Sequence, residues 1–254
     1  MTDQVRPHPL ADIFDQAFRL FCEHCLLFCG IAAVIWIPCG FLMSLGHLTH
    51  LEVGSLVEQT YRAGIPIVQM AATFAVASIY LERSVTITDC YEPILPLLLR
   101  VGLTELALLI SVVIAFITLI VPGFYVLVAW SLVPQVMMME GLWGRDALKR
   151  SEQLIKGSWW RTCGLQLIVL IMSESSADYS MLWWKFAPIV GPPVTAIILS
   201  VVWGYASAVL AVCYFDRRFQ REGFDLAGLG AVMRVASASA QSPFGSPSAV
   251  PERS

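Results

Sequence analysis

The sequence predicts an all-α integral membrane protein: six transmembrane helices, both termini cytoplasmic, and amphipathic interfacial helices on the inner face. Three observations carry this. Of 254 residues, 57% are apolar and 14% charged, and mean hydropathy is +0.70; an average soluble domain carries roughly 25% charge. Apolar runs recur that are long enough, at roughly 20 residues, to cross about 30 Å of hydrocarbon. Basic residues gather on one side of the membrane that those runs define. This composition excludes the disordered, collagen-like and small disulfide-rich classes and argues against an ordinary cytosolic enzyme.

The elements follow in order. Residues 1–25 form an N-terminal interfacial helix, in which Leu10, Ile13, Phe14, Ala17, Phe18 and Phe21 recur at helical spacing between Asp12, Asp15, Gln16 and Arg19. A six-helix domain then occupies 26–235. Span one runs from Leu26 to Gly46 without a charge, and span two from Gly64 to Leu81 with Gln69 as its strongly polar interruption. Span three, Thr104 to Val121, meets span four, Phe124 to Met139, at Pro122-Gly123, which reads as the tight turn of a helical hairpin. Within 145–157 lies a second interfacial helix, with Leu148, Ser151, Leu154 and Ile155 toward the membrane, Lys149, Arg150 and Lys156 toward headgroups, and Gly157 as C-cap. Trp159, Trp160 and Arg161 mark re-entry into the bilayer. Span five, Trp160 to Met172, is short and runs into Ser173-Glu174-Ser175-Ser176-Ala177-Asp178, where an outer loop is favoured over continued helix. Span six, Ile189 to Tyr214, continues into Asp216-Arg217-Arg218 and stops at Gly223; a short helix capped by Asp225 follows to Val235. The Ser-, Ala- and Pro-rich tail, 236–254, is too polar to fold.

Orientation follows from Lys and Arg, which cytoplasmic loops retain. With the N-terminus inside, Arg62 and Lys185 alone of the sixteen basic residues fall outside. The inner segments hold Arg6, Arg19, Arg83, Arg100, Arg145, Lys149, Arg150, Lys156, Arg161, Arg217, Arg218, Arg221, Arg234 and Arg253. The first twenty residues lack an uninterrupted apolar core, so no cleavable signal peptide is expected. None of the seven cysteines falls in an outer loop, so no structural disulfide is expected.

Ala147-Leu148-Lys149-Arg150-Ser151, with Leu154, Gly157, Trp159 and Trp160, precedes an apolar span and then Tyr214-Phe215-Asp216-Arg217-Arg218 with Arg221-Glu222-Gly223-Phe224-Asp225-Leu226. With Arg6-Pro7 and Pro122-Gly123, this pattern resembles the glycerophosphoryl diester phosphodiesterase membrane-domain family of bacteria and archaea. The resemblance covers almost the whole chain apart from the tail. It implies a membrane domain that in some members is joined to a soluble phosphodiesterase barrel. None of His8, His24, His47 and His50 precedes Arg-Gly, the mark of that barrel. The resemblance therefore carries over no catalytic residue, and neither an enzyme activity nor a cofactor is expected.

Other constellations have plainer readings. His47 and His50, with Glu52 nearby, read as a polar loop rather than a metal site, and Cys22, Cys25 and Cys29 as apolar filler. Glu174 and Asp178, four apart on one helix face if span five continues, are candidates for an ion or proton site, with Lys185 to pair with either. Gln69, Gln135 and Gln166 suit interhelical hydrogen bonds, as does Glu105, and Pro38 and Pro134 should bend spans one and four. Small residues at Ser200, Gly204 and Ala208, and at Ala71 and Ala75, offer faces for close packing.

The inner basic cluster is the main candidate site. Lys149, Arg150 and Lys156 with Arg217, Arg218 and Arg221 would surround one anionic phospholipid headgroup, and topology alone also accounts for their presence. The expected function is a non-catalytic scaffold, anchor or partner subunit of the cytoplasmic membrane, contacting anionic lipid at its inner face. Its partners would be lipids and a membrane protein or a second copy of the chain, with no nucleic acid. The alternative is a small transporter using polar groups of the fifth span.

Overall fold

A computed structural model describes residues 10–49, 54–187, 189–222 and 230; the side chains of 10, 55, 118, 120, 174–186 and 222 are not described. Among the described residues it is all-helical: α1 (Leu10–Glu23), α2 (Cys25–Thr49), α3 (Gly54–Tyr80), α4 (Ile87–Tyr91), α5 (Leu98–Thr118), α6 (Ile120–Ala129), α7 (Val133–Glu140), α8 (Arg145–Ile155), α9 (Trp159–Phe186) and α10 (Gly191–Glu222). Among the described residues five stretches are long and apolar enough to cross a membrane: Cys25–Thr49, Leu56–Tyr80, Ile87–Ile117, Val121–Glu140 and Gly191–Arg221. This is consistent with a multi-pass membrane protein. The expected span five lies within α9, which is not among those five.

The centre of the bundle is α10, packed on α2, α3, α9 and α1. Glycine sets how closely α2 and α10 approach. A Cβ on Gly204 would stand 2.8 Å from the Phe28 carbonyl oxygen, and one on Gly40 would stand 2.8 Å from the Pro192 carbonyl oxygen. The two helices therefore run antiparallel with backbones nearly touching, the use of small residues expected where helices pack in lipid. Trp36, fully buried, stacks on Tyr61 of α3 at 4.9 Å between ring centroids. By contrast α5 packs on α6 and leaves Leu99, Leu103, Leu106, Leu109, Ile110 and Ile117 exposed, Ile117 by 80%. So large an apolar surface would be a liability in water and is ordinary against lipid.

Several elements differ from expectation. The hairpin between spans three and four turns at Leu119, whose extended backbone (φ −165°, ψ 144°) separates α5 from α6. Pro122 sits in the first turn of α6, where a missing N–H costs no hydrogen bond, and Gly123 lets the Phe116 ring fold back over the helix, since a Cβ would come within 2.6 Å of it. Span four is broken rather than bent: α6 ends at Ala129, and Pro134 lies in the first turn of α7. The Ala129 carbonyl accepts instead from the fully buried Ser151 hydroxyl of α8 at 2.8 Å. Residues 173–186 are helical, not an outer loop, because nothing between Gly164 and Ala187 is Gly or Pro and polarity alone does not stop a helix.

The amphipathic helices also find protein where lipid was expected. Ile13, Ala17, Leu20 and Phe21 of α1 are buried, and Phe18 and Phe21 meet the Tyr205 ring of α10 edge-on. In α8, Ala147, Leu148, Ser151, Leu154 and Ile155 are buried against the bundle. α8 ends with Lys156, not Gly157, as its C-cap; Gly157 follows at φ +85°, a conformation that favours glycine. α10 ends at Glu222, next to Gly223. Arg6-Pro7, His8, His50, Glu52, the helix capped by Asp225 and the tail lie outside the described residues, apart from Gly230.

Candidate anion-binding face

One end of the bundle gathers the C-termini of α7 and α10, all of α8 and the N-terminus of α9, and there the basic residues divide into three settings. The first is a clasp around Glu140, at the C-terminal end of α7. Its carboxylate accepts from Arg150 Nε of α8 at 2.6 Å and from the Tyr214 hydroxyl of α10 at 3.0 Å, while Arg218 Nε lies 3.8 Å away. Arg218 also donates to the Tyr214 oxygen at 3.2 Å. The Arg218 and Glu140 side chains are only 9% and 11% exposed. In so dry a place one carboxylate against two guanidinium groups is a structural tie among three helices.

The second setting is an exposed rim. Lys149 and Lys156 project from α8 on the side opposite its buried face, and Arg145 is exposed at its start. Arg221 is exposed and donates from Nη1 to the Gln153 carbonyl at 2.6 Å. A cation here meets the negative end of α8, whose last carbonyls have no helical partner.

The third setting lies between α9 and α10. Arg217 is 4% exposed, and its Nε and Nη2 are buried without hydrogen-bond partners. Arg161, in the first turn of α9, is partly exposed, yet its Nε and Nη2 are also buried and unpartnered. The two guanidinium groups are close enough to feel each other's charge, and Arg161 also feels Asp216, Cys213 and Asp12. Arg217 also lies near the Cys213 thiol. Asp216 accepts at Oδ1 from Gln220 and leaves Oδ2 buried without a partner.

Lys149, Arg150, Lys156, Arg217, Arg218 and Arg221 thus occupy one end of the molecule but do not surround one headgroup. Sequence reasoning missed Glu140 and Tyr214, and took Arg161 as an interface anchor rather than a neighbour of Arg217. The signal for Glu140 was available: a lone carboxylate at the basic end of an apolar run, after Met137, Met138 and Met139. The ion-site candidates Glu174 and Asp178 lie on α9, and their side chains are outside the described residues, as is that of Lys185. Gln135 is fully buried with both amide atoms unpartnered, and Gln166 Oε1 is unpartnered too, so neither makes the interhelical bond expected of it at those atoms. All seven cysteines are free thiols, with the sulfurs of Cys25 and Cys29 3.6 Å apart. Among the described residues no group of His, Cys, Asp and Glu is arranged to hold a metal ion.

The chain matches no protein-family model, no curated protein and no solved structure.

Proposed function

We propose that this chain is a non-catalytic multi-pass protein of the bacterial cytoplasmic membrane, a scaffold or partner subunit whose inner face contacts anionic lipid. In this reading α9 supplies the sixth span and both termini are cytoplasmic. The resemblance to the glycerophosphoryl diester phosphodiesterase membrane domain, carried by the residues around Lys149 and Arg217, supports the same architecture.

The observation that carries the lipid contact is the division of the basic residues. Arg150 and Arg218 are held by Glu140, whereas Lys149, Lys156 and Arg221 stand exposed along one edge of α8 and the adjoining end of α10. A row of cations at the membrane surface attracts anionic headgroups by about 1 kcal/mol per residue. The test is lipid analysis of protein purified in gentle detergent. Replacing Lys149, Lys156 and Arg221 together by Gln should lower copurified anionic lipid severalfold while the protein remains folded. Unchanged lipid content would overturn the contact, and a stable protein partner in the same preparation would support the scaffold role.

A further inference from the structure

The unpartnered nitrogens of Arg161 and Arg217 share a pattern. In both residues the free positions are Nε and Nη2, which form one edge of the guanidinium plane. That edge presents two parallel N–H donors and matches two oxygens on one phosphorus or one carboxylate carbon. Four donor nitrogens, from Arg161 on α9 and Arg217 on the α10 packed against it, therefore lack acceptors. The acceptors nearby fall short of them: Asp216 has one unused oxygen, Asp12 is exposed on α1, and the Cys213 sulfur is a weak acceptor. Two like charges whose vacant donor edges are buried are costly to maintain, and an anion bridging them removes both penalties at once.

We propose that Arg161 and Arg217 form a binding site for a single phosphate group, each guanidinium gripping it in bidentate fashion. A phosphate offers several oxygens around one centre and meets forks arriving from α9 and α10 together, which a planar carboxylate with two oxygens does less completely. The first turn of α9, with its positive end, adds to the favourable field. Arg217 is the fixed wall, held by burial. Arg161 is the entrance: its residue reaches the surface while its free nitrogens point inward, so rotation of one long side chain opens the site. The same chemistry is carried by a phospholipid headgroup and by free phosphate. The inference leans on the membrane reading above only for the lipid source, and it uses different residues from the rim.

The test uses the full chain, delipidated in maltoside detergent and titrated separately with inorganic phosphate and with short-chain phosphatidylglycerol, followed by calorimetry and thermal unfolding. A response to both probes means that phosphate alone suffices; a response to phosphatidylglycerol alone assigns the site to lipid. Arg161→Gln and Arg217→Gln should each weaken the response by about tenfold or more, and Arg217→Lys, which keeps charge but loses the fork, should fall between. In a background with Lys149, Lys156 and Arg221 replaced by Gln, which removes the rim's own contribution to the phosphatidylglycerol signal, the loss on adding Arg161→Gln or Arg217→Gln should persist, which separates failure of this site from failure of the rim. The proposal is overturned by no response to either probe, as would follow if Asp216 swings onto the arginines, or by a response that survives both Gln variants. Should Arg217→Gln not fold, the partly exposed Arg161 decides the matter with its own Gln and Lys variants.

Discussion

Glu140 holds charges from two neighbouring helices while closing the C-terminal end of a third. Arg150 and Arg218 reach it from α8 and α10, and the Tyr214 hydroxyl takes one of its oxygens. Removing the carboxylate breaks the close pair with Arg150 and takes the anion from beside the buried Arg218, so Glu140→Gln should cost about 3 kcal/mol, as breaking a buried ion pair does. Thermal unfolding in detergent would show it as a lowered Tm. Adding Arg150→Gln to that variant should cost little more, because the partner is already gone. Equal and additive losses from the two substitutions would mean that the clasp is not a unit. Of this arrangement the sequence displayed the cations as a cluster, whereas Glu140 was marked only by its place after three methionines at the basic end of an apolar run, a weaker signal than a periodic pattern. What Arg161 faces was hidden for a different reason: 56 positions separate it from Arg217, and no local spacing relates them.

At the scale of the helix, backbone approach decides which glycines matter. Gly204 faces the Phe28 carbonyl at a distance no Cβ tolerates, whereas a Cβ on Gly102 of α5 would have nothing within 4 Å. Gly204→Ala should therefore destabilise the bundle by about 1–3 kcal/mol. Gly102→Ala should be neutral or stabilising by up to about 1 kcal/mol, through helix propensity. Chemical unfolding of the two variants side by side checks the contrast. The small-residue stripe that includes Gly204 was legible because small residues repeat every four positions. The breaks were less so. Pro122-Gly123 and Pro134 were visible as irregularities, but a proline accommodated in the first turn of a new helix looks, in sequence, like one that kinks a continuous helix. The two amphipathic helices were legible as helices and misleading as to surroundings, since an apolar stripe fits a lipid surface and a protein groove equally well.

For the molecule as a whole, the predicted orientation puts Arg62 on the outer side and Lys149 on the inner side. Both are exposed. In a variant with its seven cysteines replaced, a membrane-impermeant maleimide should label Arg62→Cys in intact cells and Lys149→Cys only after permeabilisation. The reverse pattern would invert the topology, and labelling of both in intact cells would contradict the expected arrangement of spans. The expectation rests on charge asymmetry, which sums over the whole chain and does not depend on any single span.

The contact between Phe28 and Gly204 also sets a clock on synthesis. About 175 residues separate these positions, and at roughly 5–20 residues per second a ribosome takes about 10–35 s to pass from one to the other. Throughout that interval α2 has no α10 to lie against, and its Gly40 and Phe28 backbone face must be sheltered by lipid or by the insertion machinery. The contact closes only when α10 arrives, so this part of the bundle waits for a helix made long after the one it receives.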